Sequence, residues 1–307
     1  MKSKPVPQLV VVGSIGLDTI ETVRDKRADV LGGSASYATA AAAYFAKTGL
    51  VGIVGTDFPD HNHKLFNRLK IDIDGLQVVE GRTFRWHGVY EENMDNRRTI
   101  STELNVFEHF NPRLPAHFTR APNLFLGNIA PSLQLSVLDQ VHKPRFVMVD
   151  TMDLWINIAR EDLLRVIRRV NLLTLNESEA RLLTDVNNLM EAAEKLLKLG
   201  PQYVLIKKGA SGNMLFSRKG KKTLVPAYPV RDVVDTTGAG DTFAGGFIGY
   251  LSSLKRITDT EIHRAQMFGS VMASFNVEKF SLDEFRTLTK ARIQKRAAEF
   301  RKMMTVP

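Results

Sequence analysis

The chain has 307 residues, of which 44% are hydrophobic and 24% charged, an ordinary globular usage that excludes intrinsic disorder and collagen-like repetition. It contains no cysteine, so disulfide scaffolds, thiolate zinc sites and cysteine nucleophiles are excluded together. Its 42 basic against 33 acidic side chains leave a net charge of +9, which favours anionic partners, and no apolar run reaches the roughly 18 residues of a membrane-spanning helix.

Met1 to Gln8 carries no apolar core followed by a small-residue cleavage site, so the expected location is cytoplasmic. Leu9–Val12 reads as a first buried strand, and Ser34–Ala46 as a helix. Further strands follow at Leu50–Val54, Asn123–Leu126, Phe146–Val149, Leu172–Leu175 and Tyr203–Lys207, all rich in Val, Leu and Ile. Helical periods at Leu133–Val141, Asp162–Val170 and Leu189–Leu199 lie among them. This alternation predicts βαβ units and a mostly parallel sheet with helices on both faces, an α/β class. One segment breaks the alternation. Residues 81–109 predict two β-rich runs, Thr83–Tyr90 and Arg97–Val106, joined by the turn residues Asn93, Asp95 and Asn96. Such a pair needs something to pack on, and a lid over a ligand or a dimer surface would supply it. The expected organisation is one domain over 1–307 with this β lid inserted.

After Lys207 the pattern changes. Met214–Phe216 and Thr223–Val225 flank the basic run Arg218 to Lys222 as an antiparallel hairpin, and the chain is helical from Asp241 almost to its end. In the basic stretch Lys290 to Lys302, Ile293, Ala297 and Phe300 form an apolar helical stripe. Its basic side reads as a solvated face, because no nucleic-acid motif accompanies it, and neither nucleic acid nor membrane is an expected partner.

The chemistry concentrates in Asp235-Thr-Thr-Gly-Ala-Gly-Asp241 and the residues up to Ile248. Five glycines fall between 238 and 249, where the apolar pattern otherwise predicts helix. A glycine inside a helix costs about 1 kcal/mol relative to alanine, so this placement points to close backbone approach. Gly238, Ala239 and Gly240 ahead of a helix turn free N–H groups outward at the positive end of its dipole, a natural anion site. Asp241 sits beside it. A carboxylate there suits phosphoryl transfer as the acceptor of a hydroxyl proton, and suits an N-cap equally.

The run Asp235 to Ile248 resembles, position by position, the C-terminal signature of the PfkB-type, ribokinase-like carbohydrate kinases. The resemblance extends to Gly13 and Asp18, the Gly32-Gly33 pair opening a helix, Asn176-Glu-Ser-Glu179 and Gly209-Ala-Ser-Gly212. It implies a three-layer αβα sandwich with a small β lid, and an ATP-dependent phosphotransferase acting on a hydroxyl, expected to be a primary alcohol, of a sugar or sugar-like molecule. A nucleoside kinase of the same fold is the alternative, and a non-catalytic sugar- or nucleotide-binding regulator a further one. By resemblance Asp241 is the catalytic base, and Gly238, Ala239 and Gly240 form the anion hole. Asp18, Gly32, Gly33 and Tyr37 face the substrate. Asn176, Glu179, Lys207, Gly209, Gly212 and Ser270 belong to the nucleotide side, with Glu179 an indirect ligand of Mg2+. Asp235 and Thr237 stand where many members bind a monovalent cation such as K+. The lid could serve as a homodimer contact or as a monomer's cover.

Two departures stand out. Tyr37 occupies the position of an asparagine amide, and Lys207-Lys208-Gly209 stands where Thr-x-Gly is usual. Asn176 and Glu179 equally suit a helix capping box. His61 and His63 lack the further ligands of a closed metal site, no Walker A sequence occurs, and Phe84 and Trp86 of the lid read as packing residues that could also stack on a sugar or base.

Overall fold

Strands buried on both faces need apolar side chains at every position, and the short Val- and Leu-rich runs supply them. The computed structural model describes residues 4–91, 94 and 97–305; the expected turn residues Asn93, Asp95 and Asn96 lie outside them. In chain order the first elements are β1 (Leu9–Val12), β2 (Gly16–Glu21), β3 (Lys26–Gly32), α1 (Ser34–Ala42), β4 (Thr48–Gly55), α2 (Asp60–Arg68) and β5 (Asp72–Val79). Next come β6 (Phe84–Tyr90), β7 (Arg97–Glu103), β8 (Asn123–Leu126), α3 (Pro131–Gln140), β9 (Phe146–Asp150), α4 (Asp153–Ile158) and α5 (Arg160–Ile167). The remainder is β10 (Leu172–Asn176), α6 (Glu177–Thr184), α7 (Leu189–Lys198), β11 (Tyr203–Lys207), β12 (Asn213–Ser217), β13 (Lys222–Val225), α8 (Ala239–Ser252), α9 (Asp259–Asn276) and α10 (Lys290–Met303).

Nine strands form the large sheet in the order β13-β12-β11-β10-β9-β8-β1-β4-β5. The run from β11 to β5 is parallel, and β12 and β13 add the expected antiparallel hairpin at one edge. Alternation along β1 sends Leu9 and Val11 to one face and Val10 and Val12 to the other. The first face is covered by α1, α2, α8, α9 and α10, the second by α3 to α7, which completes the three layers. The C-terminal stripe behaves as its spacing predicts: Ile293, Ala297 and Phe300 are buried in the first core.

The lid is larger than the 81–109 segment. Its four strands run β3-β2-β6-β7, so half of them precede α1 in the sequence. Sequence pattern hid β2 and β3 because they carry Asp18, Glu21, Lys26, Arg27 and Asp29, and most of β3 is exposed. The strand β5 escaped for the same reason, being a half-exposed edge.

Helix α8 explains part of the glycine run. It packs across α1 so closely that a Cβ on Gly249 would lie 2.6 Å from the Ala42 Cα, and one on Gly245 would overlap the Ala38 carbonyl. These glycines therefore let two helix backbones touch, and thereby fix the height of the α8 N-terminus above the sheet. Gly245→Val should lower stability by about 1–3 kcal/mol through overpacking, read as a lower urea midpoint at unchanged slope. An unchanged midpoint would mean that the helices do not meet there.

Candidate active site

Ligands of open α/β sheets bind beyond the carboxyl ends of the parallel strands, and here three neighbouring strands end in polar residues. β9 ends in Asp150, β10 in Asn176 and β11 in Lys207, with Asn176 in register with Lys207. Lys207 Nζ donates to Asp150 Oδ2 at 2.6 Å, with the two side chains 18% and 4% exposed. Burial works against the lysine charge, but Asp150, Glu179 and Asp241 outweigh it and raise its pKa. Asn176 and Glu179 form the complete capping box of α6: Asn176 Oδ1 accepts from Glu179 N at 2.8 Å, and Glu179 Oε2 accepts from Asn176 N at 2.7 Å. The box holds the Glu179 carboxyl inward, where burial pushes its pKa up to about 7 against the opposing pull of Lys207.

Above this group stands the N-terminus of α8. Gly238 is its N-cap at φ 71°, a left-handed conformation, and the ring of Tyr37 fills the space a side chain would need. The Ala239 N–H donates to Thr236 O at 3.2 Å. The Gly240 N–H is a first-turn amide without a helical acceptor, and a Cβ on Gly240 would sit 3.3 Å from Lys207 Nζ. Helix dipole, amide and ammonium thus converge on one point. Asp241, half-buried, lies in the same first turn; burial, with Asp150 nearby, pushes its pKa up to about 6, against Lys207 and Arg97.

On the other side of Asp241 is Asp18 of β2, 4% exposed, with Oδ1 lacking any hydrogen-bond partner. Burial, together with Asp235 and Asp241, pushes its pKa up to about 8. A Cβ on Gly32 would overlap this carboxyl group, and Gly33, at φ 91°, passes equally close to the backbone of Ser14 and Ile15. A buried carboxyl oxygen without a partner fits a ligand hydroxyl. Tyr37 lies deeper, fully buried beneath the 235–238 loop, with Oη in no hydrogen bond of ordinary geometry.

The lid closes on this loop through two bonds. Tyr90 Oη and Thr237 Oγ1 are 2.9 Å apart, and Thr236 Oγ1 donates to Met94 O at 2.9 Å. Asp235, fully buried, accepts from Thr237 N at 2.8 Å and Ser281 N at 3.0 Å. Beyond Lys207 and Gly240 a cleft of about 850 Å³ opens, lined among others by Gly209, Gly212, Asn213, Phe243 and Ser270. Asn213 Nδ2 donates to Ser270 Oγ at 3.2 Å, which fixes the polar patch on its wall.

Asp18, Gly32, Gly240, Asp241, Glu179 and Lys207 therefore come together, while Gly209, Gly212 and Ser270 line the adjoining cleft. Sequence reasoning missed Asp150, Arg97 and Asn213. Asp150 carried a usable signal, since it directly follows an apolar strand of a parallel sheet; Arg97 sits in an exposed strand that offered none. Elsewhere, Asp72, Asp74 and His117 cluster on the β5 edge, where Lys4 pairs with Asp74 and His117 bonds Asp72 at 2.9 Å. His63 packs edge-on to Phe58.

The sequence pattern of the pfkB family carbohydrate kinases matches residues 7–287. The chain belongs to this family. It is 34% identical over 250 residues to a cytidine kinase of Thermococcus kodakarensis, covering 79% of this chain and 88% of that protein. It is 26% identical to a ribokinase of Haemophilus influenzae, covering 88% and 92%. Among solved structures, the nucleoside kinase of Methanocaldococcus jannaschii superposes with a TM-score of 0.77 at 19% identity, over 96% of this chain and 100% of that one. The Arabidopsis thaliana ribokinase complexed with ribose and ATP gives 0.77 at 22% identity, over 95% and 99%. These likenesses bear out the ribokinase fold and a sugar or nucleoside kinase. No helix among the described residues is long and apolar enough to cross a membrane.

An Asp241 carboxyl that titrates at about 6 is protonated, and useless as a base, below that pH. The kinase should therefore show kcat/KM rising with pH through an apparent pKa near 6. A profile flat from pH 5 to 8 would contradict this placement of the base.

Proposed function

We propose that this kinase transfers the γ-phosphoryl group of ATP to a primary hydroxyl of its acceptor, with Asp241 as the base. The observation that carries the reading is a pair of neighbouring carboxyls: Asp18, buried with an orphaned oxygen, and Asp241 in the first turn of α8, whose charge helps to raise the Asp18 pKa. Asp18 accepts from acceptor hydroxyls, Gly32 leaves room for that carboxyl, and Gly33 brings the start of α1 close against Ser14 and Ile15 beside it. Asp241 takes the proton of the attacking hydroxyl. The Gly240 amide, the α8 dipole and Lys207 hold the negative charge on the transferring group. Lys207 replaces a threonine hydroxyl by a full charge, kept in place by Asp150.

The 850 Å³ cleft beyond Lys207 suits the nucleotide, with Gly209, Gly212 and Ser270 on its walls. ATP fits this chain as donor because the related Arabidopsis ribokinase was solved with ATP. Glu179 offers a hard carboxylate oxygen suited, indirectly, to Mg2+ accompanying the phosphates; the ion would neutralise phosphate charge when bound. The buried Asp235 carboxyl and the Thr237 backbone form the place for a monovalent cation such as K+. Tyr37 supports the substrate site from below, through its ring under Gly238. The exposed lid strands β3 and β7 are the surface offered to a homodimer. Lid closure through Tyr90 and Thr236 excludes water from the transfer.

The test is ADP release from Mg-ATP over a panel of sugars and nucleosides. Asp241→Asn should lose roughly 10²–10⁴ in turnover with the responding acceptor. Full activity in that variant would sink the assignment of the base.

A further inference from the structure

The lid carries an arrangement that these roles leave unused. Trp86 of β6 is the parallel register partner of Asp18 in β2, so both side chains leave the same face of the lid. Its indole lies down along the strand over Gly88, where any Cβ would overlap the six-membered ring. Gly88 is not among the positive-φ glycines, so it supplies space rather than backbone freedom. The indole N–H donates to Thr99 Oγ1 of β7 at 3.2 Å, which pins the ring in this pose. Arg97, opposite Tyr90 in β7, holds its guanidinium 5.7 Å from the indole centroid. That is a loose pairing beside the 3.6 Å of Arg296 on Phe275. Arg97 also favours the charged forms of Asp18 and Asp241, so its guanidinium lies within electrostatic reach of both.

The position of this plate relative to Asp18 is informative. Asp18 serves hydroxyl groups, and the plate begins one strand over and extends toward Tyr90, so it covers a part of the acceptor beyond its hydroxyl-bearing end. A flat, half-buried aromatic surface suits a planar ring, and the guanidinium beside it offers in-plane donors that match ring carbonyls. We propose that Trp86, flattened over Gly88 and pinned by Thr99, forms with Arg97 a lid subsite for the planar, carbonyl-bearing base of a nucleoside acceptor. This deepens the kinase reading and rests on it.

Two measurements on the full chain separate the outcomes. In the first, kcat and KM are determined with Mg-ATP for pyrimidine and purine nucleosides and for free ribose and hexoses, in wild type, Trp86→Phe and Trp86→Leu. Stacking on an aromatic side chain predicts that Trp86→Leu raises the nucleoside KM roughly 5- to 150-fold, with kcat and the ATP KM little changed and Trp86→Phe largely restoring it. Free sugars used as well as nucleosides, with Trp86→Leu neutral for both, would overturn the subsite and leave the kinase intact. A merely structural tryptophan would instead shift the ATP KM, kcat and thermal midpoint together, which also overturns it. In the second, Trp155→Phe leaves Trp86 as the sole indole of the chain's two, and nucleosides are titrated against its fluorescence without ATP. Quenching by nucleosides but not by ribose supports the subsite even if no acceptor is phosphorylated, a result that would count against the kinase reading alone. No change with any nucleoside at millimolar concentration overturns it.

Discussion

A lysine ammonium that is more than four-fifths buried needs carboxylates around it, and the carboxyl edge of the central sheet is arranged to supply them. Lys207 leaves the end of β11 next to Asp150 from β9 and Glu179 from the first turn of α6, with Asp241 above. Their separate origins make the cluster a product of strand order: only parallel strands ending at one level bring these positions together. Its charges also shape one another. Burial raises the pKa of both Glu179 and Asp241, while the ammonium pulls each back toward the charged form.

The glycine-rich run serves two masters. Gly238 and Gly240 shape the N-terminus of α8, one by its left-handed turn over Tyr37 and one by leaving room beside Lys207. Gly245 and Gly249 let α8 sit against the α1 backbone, and Gly246 meets Met272 of α9. Packing and chemistry are therefore one problem in this helix, because the contact that seats it also sets the distance between its first turn and the strand ends. The Asp235 hydrogen bonds to Thr237 and Ser281, with the lid bonds from Tyr90 and Met94, hold the loop that enters it.

The buried parallel strands were legible because continuous Val and Leu runs have few other uses, and the α10 stripe because Ile293, Ala297 and Phe300 recur at helical spacing. The run Asp235 to Ile248 was legible through its resemblance to the family's signature, while its residues alone left Asp241 equally suited to a cap. The first half of the lid was not: β2 and β3 mix charged residues with apolar ones, and the hairpin they form is held in the lid by the pairing of β2 with β6, a tertiary fact. Asn176 and Glu179 show a different limit. Their spacing is that of a capping box, which they form, and the same box turns the Glu179 carboxyl toward Lys207, so the structural and the chemical readings describe one geometry. Asp150 went unread although its place directly after an apolar strand was a usable signal, because its partner Lys207 lies 57 residues away, two strands across the sheet.

The proposed transfer depends on the buried Lys207–Asp150 pair acting as a unit on the phosphoryl group. The most direct measurement is a kinetic double-mutant cycle with Lys207→Met, Asp150→Asn and the double variant, assayed at saturating acceptor. Lys207→Met should lose about 10²–10³ in kcat, and adding Asp150→Asn should cost little more, as expected of residues that work together. A Lys207→Met enzyme within about twofold of wild-type kcat, at unchanged fold, would contradict the account and reduce the pair to a structural tie.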